Sequence, residues 1–204
     1  MAYTIEEEQE LSAIKAWWQE NYKFIIVCFV IAFGGVFGWN YWQSYQLQKI
    51  HNASAEYEQV LFNYAKDPKA QEEQFSQFIK NNEKTGYAVL ALLDKAKIAV
   101  ENQDFAQAEE ALKQAVAQST DEVLSSVSAL RLATVQFQLG QFDPALESLK
   151  LVKDQAWNGA KNMLVGDIQL AKGDKDAAKS AYQQAQQNAT PLEQQLIQVR
   201  LNNL

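Results

Sequence analysis

The feature that most constrains this chain is an uncharged run near its N-terminus. No Asp, Glu, Lys or Arg lies between Lys23 and Lys49, and residues 24–39 read FIIVCFVIAFGGVFGW. About 20 apolar helical residues span the hydrocarbon core of a bilayer. Aromatic rings flank spanning helices at both interfaces, and here they are Trp17, Trp18 and Tyr22 before the run and Trp39, Tyr41, Trp42 and Tyr45 after it. We therefore predict one transmembrane helix and its membrane exit over residues 24–45.

A buried core helix and a cleaved signal peptide are the two alternatives to an uncleaved anchor. Few core helices are apolar on every face and bordered by aromatic residues at both ends. A signal peptide starts with a basic segment and ends at a small-x-small cleavage site. Here EEEQE precedes the run and GWNYW follows its apolar core, so the sequence favours an uncleaved anchor.

Lysines close to the run indicate its orientation. Lys15 and Lys23 precede it and Lys49 follows it. The more basic flank of a spanning helix stays in the cytoplasm. We therefore predict a cytoplasmic N-terminal segment over residues 1–23 and the larger domain outside.

Two glycines inside the run form a candidate contact with another membrane helix. Gly34 and Gly38 make a GxxxG motif, which lets two helices approach closely. The alternative is that they are merely small residues in a lone anchor.

The composition excludes several classes of function. Lys and Arg total 18 against 25 Asp and Glu, and the net charge of -7 argues against nucleic-acid binding. A single cysteine, Cys28, and a single histidine, His51, rule out an internal disulfide and a Cys/His zinc site. The sequence contains no GxGxxG, P-loop, HExxH or GxSxG motif. We therefore predict a protein that is not an enzyme and takes no cofactor, no metal and no small-molecule substrate.

Three segments after residue 50 share one helical pattern. Their reference positions are Gln103, Gly140 and Gly173, spaced 37 and 33 residues apart, and a small residue lies seven positions before each. The residues 2, 5, 9 and 12 positions after each reference are Phe105, Ala108, Leu112 and Ala115; Phe142, Ala145, Leu149 and Val152; and Lys175, Ala178, Tyr182 and Ala185. The pattern resembles the tetratricopeptide repeat, a helix–turn–helix of about 34 residues. A non-repeating helical bundle is the alternative.

The predicted fold is all-α: a single N-terminal transmembrane helix followed by a tetratricopeptide-like helical repeat solenoid with capping helices. The repeat domain is expected over residues 46–204, with repeats at about 89–122, 126–158 and 159–190. A helix pair at 49–65 and 70–82 would cover one end, since terminal repeats need a cover for their apolar face. The Thr190-Pro191-x-Glu193 start predicts a capping helix over 191–203 at the other end.

The inner helices of such an array line a concave surface. By repeat position, the candidate partner-binding groove consists of Leu90, Leu93, Lys97, Val100, Val127, Leu130, Thr134, Phe137, Ala160, Met163, Asp167 and Leu170. This mostly apolar set suits hydrophobic or extended polypeptide. Charged peptide ends would need Lys and Arg in the groove, and Lys97 is the one such residue in the set. The alternative is that terminal helices fold into the groove and fill it.

The order of motifs along the chain resembles one family. An acidic start at Glu6–Glu10 is followed by KAWWQENYK, the apolar run, GWNYW at 38–42, LRLATVQFQLGQFDPALESL, and TPLEQQLIQVRLNNL at 190–204. This layout is similar to that of the YfgM family, the ancillary subunits of the SecYEG translocon, over essentially the full chain.

The resemblance implies a single-pass protein of the bacterial inner membrane, with a cytoplasmic N-terminus and a periplasmic repeat domain. It implies association with the SecYEG translocon and with PpiD, a membrane-anchored periplasmic chaperone, and transfer of unfolded or nascent exported polypeptides to such chaperones. The rival hypothesis is a membrane-anchored repeat scaffold for another cell-envelope assembly, such as the division or cell-wall machinery. Pull-downs discriminate the two because the expected partners differ.

Overall fold

The computed structural model describes residues 5–187 and 189–204. Within these residues all regular structure is helical, and the predicted all-α fold class is confirmed. The helices are α1 (Ile5–Lys66), α2 (Pro68–Asn81), α3 (Gly86–Glu101), α4 (Phe105–Gln118), α5 (Glu122–Gln138), α6 (Phe142–Lys150), α7 (Asn158–Ala171), α8 (Lys175–Gln186) and α9 (Pro191–Asn202), with one 3-10 turn at Gln155–Trp157. The chain divides into two units, Met1–Lys49 and Ile50–Leu204.

In the first unit, α1 presents apolar side chains that the protein does not cover. Phe24, Ile31 and Phe37 are each about 70% exposed (71%, 69% and 70%). A water-soluble fold would bury such residues, whereas lipid solvates them. Among the described helices, this one is long and apolar enough to cross a membrane.

In the second unit, three helix hairpins turn in the same way. At the three reference positions φ is 61° for Gln103, 73° for Gly140 and 86° for Gly173. In each turn the reference N–H donates to the carbonyl three residues back, and the next N–H donates to the carbonyl five residues before itself. This left-handed helix ending favours glycine. Gln103 therefore takes up the same repeat position without glycine's conformational freedom.

Small residues hold the two helices of each hairpin together. Ala108, Ala145 and Ala178, five positions after the turns, have no exposed surface. In the third repeat the two helices leave no room for a side chain at Gly166, because a Cβ built there would lie 2.3 Å from Cε1 of Tyr182. Gly166 is therefore the position that makes room for a buried tyrosine.

The start of the array is covered by the end of α1 and by α2. Tyr64 of α1 and Phe75 of α2 are buried, with ring centroids 4.3 Å apart. The Tyr57 hydroxyl donates to Asp94 of α3, and the Tyr64 hydroxyl donates to Glu72 at 3.1 Å. Burial, together with these neighbouring carboxylates, raises the pKa of both tyrosines. Both phenols thus stay protonated and keep donating.

Polar side chains join the first repeat to the second. Glu109 of α4 lies 2.8 Å from Lys113 Nζ and accepts from the side-chain amides of Gln136 and Gln141 at 3.2 Å and 3.4 Å. Hydrogen bonding from Lys113 is the largest of the effects that lower the pKa of Glu109. Gln136 also accepts from Ser148 at 2.7 Å, so the network spans α4, α5 and α6.

The array ends at α9, which begins as the sequence predicts. The Thr190 hydroxyl accepts from the backbone N–H of Glu193, and the Glu193 carboxylate accepts from the backbone N–H of Thr190. Ile197 of α9 has no exposed surface and packs in one cluster with Ala178, Tyr182 and Ala185. The helix therefore covers the apolar face that α8 would otherwise expose.

Candidate functional site

A concave cavity of the repeat unit combines an apolar floor with a charged rim. Its volume is about 800 Å³, within the range of ligand pockets. Four helices line it: α3, α4, α5 and α7. The lining residues are Leu93, Ala96, Lys97, Val100, Glu101, Phe105, Leu112, Arg131, Thr134, Val135, Phe137, Gln138, Leu164 and Asp167.

Helical spacing explains how α3 and α5 supply this lining. Leu93, Lys97 and Val100 are spaced i, i+4 and i+7, so they lie on one face of α3. Arg131, Thr134 and Gln138 follow a similar spacing on α5. Two helix faces thus meet across the cavity.

One repeat position contributes to the cavity from all three repeats. Lys97, Thr134 and Asp167 are spaced 37 and 33 residues apart, as the turns are, and each lines the cavity. The Thr134 hydroxyl donates to the Leu130 carbonyl at 2.9 Å. The row therefore carries a cation, a polar group and a carboxylate in sequence order.

Half of the predicted groove residues line this cavity. They are Leu93, Lys97, Val100, Thr134, Phe137 and Asp167. Leu93 is only 5% exposed and therefore forms floor rather than open surface.

The remaining predicted groove residues lie elsewhere on the inner helices. Leu90 is 37% exposed and does not line the cavity. Val127 and Leu130 pack half-buried against the cores of the first and second repeats. Met163 and Leu170 pack against the cluster that contains Ile197 of α9. The capping helix therefore covers part of the third repeat, while Leu164 and Asp167 of that repeat still line the cavity.

Arg131 is the residue whose role sequence reasoning missed. It lies next to the predicted Leu130, is exposed, and lines the cavity rim. In the part of the chain that the structure describes, no carboxylate pairs with it. Its position three residues before Thr134, on the same helix face, is the sequence signal that could have found it.

The other charges on the rim have partners. Lys97 lies 3.9 Å from Glu101, with both side chains more than 60% exposed (68% and 62%), so the pair contributes little stability. Asp167 is held by Arg200 of α9, through Nε at 2.6 Å and Nη2 at 3.1 Å. The Tyr182 hydroxyl also donates to Asp167, at 2.8 Å.

The Asp167–Arg200 pair joins the inner surface of the third repeat to α9. Its side chains are 23% and 34% exposed, and the contact is bidentate. Hydrogen bonding to Asp167 raises the pKa of Arg200, and burial raises the pKa of Tyr182. We name this three-residue cluster, Asp167, Tyr182 and Arg200, the α9 latch.

Replacing Arg200 with methionine is expected to loosen α9. The change keeps an apolar stem but leaves the half-buried Asp167 without its charged donor, which costs about 1–3 kcal/mol. Hydrogen exchange should show faster exchange of α9 amides, and the melting temperature should fall.

The matched control is Lys172→Met. It also removes one positive charge, but from the surface pair with Asp143, whose carboxylate is 82% exposed. It should change stability by less than about 1 kcal/mol. Equal effects of the two substitutions would show that α9 does not depend on the latch.

The two glycines predicted as a membrane-helix contact lie on an open surface. A Cβ built on Gly34 or Gly38 meets no atom within 4 Å. Their role as a helix contact stays a prediction.

The single histidine, His51, and the single cysteine, Cys28, are exposed, and no cluster of His, Cys, Asp and Glu in the described residues could hold a metal ion.

Known proteins resemble this chain along its whole length. Residues 15–204 match the model of the tetratricopeptide repeat-like domain family. The chain is 84% identical to a protein of Aggregatibacter actinomycetemcomitans and 54% identical to one of Haemophilus influenzae, over 204 residues and 100% of both chains in each case. A protein of Escherichia coli is 33% identical over 199 residues, which cover 97% of this chain and 96% of the relative. Each of these relatives is named ancillary SecYEG translocon subunit.

Proposed function

This chain belongs to the family of ancillary SecYEG translocon subunits, and from that premise we propose that it is a binding subunit of the translocon in the bacterial inner membrane. It associates with SecYEG, receives unfolded or nascent exported polypeptides, and passes them to a PpiD-like periplasmic chaperone. It acts by protein–protein contacts rather than by catalysis.

The observation that carries the proposal is the apolar floor of the cavity lined by α3, α4, α5 and α7. Phe105, Val135 and Phe137 contribute to its floor, and side chains of this kind bind extended polypeptide by burying its apolar residues. An unfolded client loses chain entropy on binding, so each contact is modest and reversible. Weak, reversible binding suits a subunit that must release its client to a chaperone.

The proposed membrane arrangement follows from the exposed apolar part of α1. One described helix is apolar enough to span the bilayer, and Lys15 and Lys23 precede its apolar core. By the positive-inside rule residues 1–23 lie in the cytoplasm and the repeat unit lies in the periplasm. Gly34 and Gly38 would then be available to a membrane helix of the translocon.

Site-specific photocrosslinking in living cells tests the proposal. Probes at Val100, Thr134 and Phe137 report on the cavity, and probes at Gly38 and Tyr41 report on the membrane helix. We expect the cavity probes to capture exported polypeptide or chaperone, and the membrane-helix probes to capture translocon subunits.

A probe at Leu192 serves as the matched control, because that side chain is 70% exposed and lies on α9, away from the cavity lining. It should capture neither class of partner. If the membrane-helix and cavity probes instead capture division or cell-wall proteins, the rival scaffold function replaces the proposed one.

A further inference from the structure

Within the described part of the chain, one positive charge on the rim of the cavity has no negatively charged partner. Four charged residues line the cavity: Lys97, Glu101, Arg131 and Asp167. Glu101 faces Lys97 on the same helix, and Asp167 is held by Arg200 of the α9 latch. Arg131 is left with no carboxylate partner among the described residues.

This unpaired guanidinium lies in a chain whose net charge is -7. Acidic residues are abundant enough to pair with it, yet α5 presents Arg131 to the cavity beside Thr134, which uses its hydroxyl on its own helix. A guanidinium donates through a rigid fork that matches a carboxylate. This fork is available to a carboxylate that enters the cavity from outside.

The apolar lining of the cavity defines what surrounds that anion. Val100, Phe105, Val135 and Phe137 are apolar side chains from three helices that line the same cavity. A free small anion gains nothing from such a floor, whereas a polypeptide segment brings both a carboxylate and apolar neighbours. Lys97, which is loosely held by Glu101, lies on the facing helix and adds a second donor.

We infer that the cavity selects extended polypeptide segments in which apolar residues flank an acidic side chain, and that Arg131 binds that carboxylate. The inference rests on the proposed function, since it specifies which exported segments the cavity holds. Glu101 also lines the cavity, and its negative charge repels the carboxylate of the polypeptide and lowers the affinity for it.

Fluorescence anisotropy of the full chain in phosphatidylcholine nanodiscs tests this inference. Two ten-residue probes carry a neutral fluorophore, capped ends, and leucine and phenylalanine around a central residue, which is glutamate in one and glutamine in the other. A charge-assisted hydrogen bond should make the glutamate peptide bind about tenfold more tightly. The preference for the glutamate peptide should shrink at high salt, because the Arg131 side chain is exposed and salt screens its charge.

Substitutions test whether Arg131 causes the preference for the glutamate peptide. Arg131→Gln should bring the ratio of the two affinities to about one, with the affinity for the glutamine peptide unchanged. Glu101→Gln should strengthen binding of the glutamate peptide by about two- to fivefold. Lys179→Gln is the matched control: it removes one exposed positive charge on α8, outside the cavity lining, and should keep the preference.

The outcomes separate this inference from the proposed function. Equal binding of both peptides to the unmodified chain overturns the selection of acidic segments and leaves the polypeptide-binding function standing. A preference that survives in Arg131→Gln, or that Lys179→Gln abolishes as well, overturns the role of Arg131. Binding of neither peptide overturns the polypeptide-binding function itself.

Discussion

Replacing Gly166 with alanine is expected to destabilise the repeat unit severely. The added Cβ would lie 2.3 Å and 2.4 Å from two ring carbons of Tyr182, far inside van der Waals contact. The ring has no exposed surface, and its hydroxyl is fixed on Asp167, so it cannot swing away. Overpacking typically costs about 1–3 kcal/mol, and so short a contact with an immobile ring places this substitution at the upper end of that range, about 3 kcal/mol. Thermal unfolding should show a fall in melting temperature of about 6–12 °C.

Two further variants separate this clash from a general effect of alanine. Gly86→Ala adds a Cβ that meets Leu124 at an ordinary 3.6 Å, so stability should change by less than about 1 kcal/mol. The second repeat has Ala133 and Leu149 at the positions that Gly166 and Tyr182 occupy in the third. The double variant Gly166→Ala with Tyr182→Leu gives the third repeat the same alanine–leucine pair. The double variant should recover much of the lost stability. A melting temperature for Gly166→Ala equal to that of the unmodified chain would contradict the close approach of α7 and α8.

The second large effect is expected in the membrane-spanning part of α1. Aspartate at both Ile31 and Val36 should prevent insertion, because each costs about 2.5–3.5 kcal/mol near the centre of a spanning helix, or roughly 5–7 kcal/mol together. Both positions are exposed on the helix (69% and 59%), so no protein contact compensates. Translation in the presence of inner-membrane vesicles, followed by alkaline extraction, should release the variant and retain the unmodified chain.

Leucine at the same two positions is the control for this experiment. It keeps the surface apolar and should leave the chain resistant to extraction. Because the assay follows freshly translated protein, degradation of the variant in cells does not obscure the result. A doubly substituted chain that stays in the vesicles would show that residues 24–45 do not form the anchor.

Spacing alone was sufficient to predict the repeats. A fixed offset from Gln103, Gly140 and Gly173 identified three turns that share the left-handed backbone conformation and the same hydrogen bonds. The offset succeeds because a helix hairpin repeats its geometry locally, within about 34 residues. The family resemblance is likewise confirmed, since it depends on the order of motifs along the whole chain.

The cavity could be predicted only in part, because the repeats do not all contribute the same positions to its lining. Lys97, Thr134 and Asp167 share one repeat position and all line it. Next to this row the lining differs between repeats: α3 contributes the buried Leu93, whereas α5 contributes the exposed Arg131, one position later in the repeat. A fixed offset cannot anticipate this difference between the repeats. Neither can it anticipate that Asp167 bonds to Arg200, 33 residues away on another helix.

Because the end of α1 covers the repeat unit, it limits where the membrane anchor can be replaced by another. Ala53 and Tyr64 have no exposed surface and belong to the unit that begins at Ile50, so the repeat domain starts almost at the unit boundary. A recombination that replaced everything up to Lys66 would uncover Phe75. A different anchor can therefore be joined to this domain at the few residues between Lys49 and Ala53. An anchor joined ahead of Ala53 should leave the buried contact between Tyr64 and Phe75 in place, whereas one joined after Lys66 should remove it.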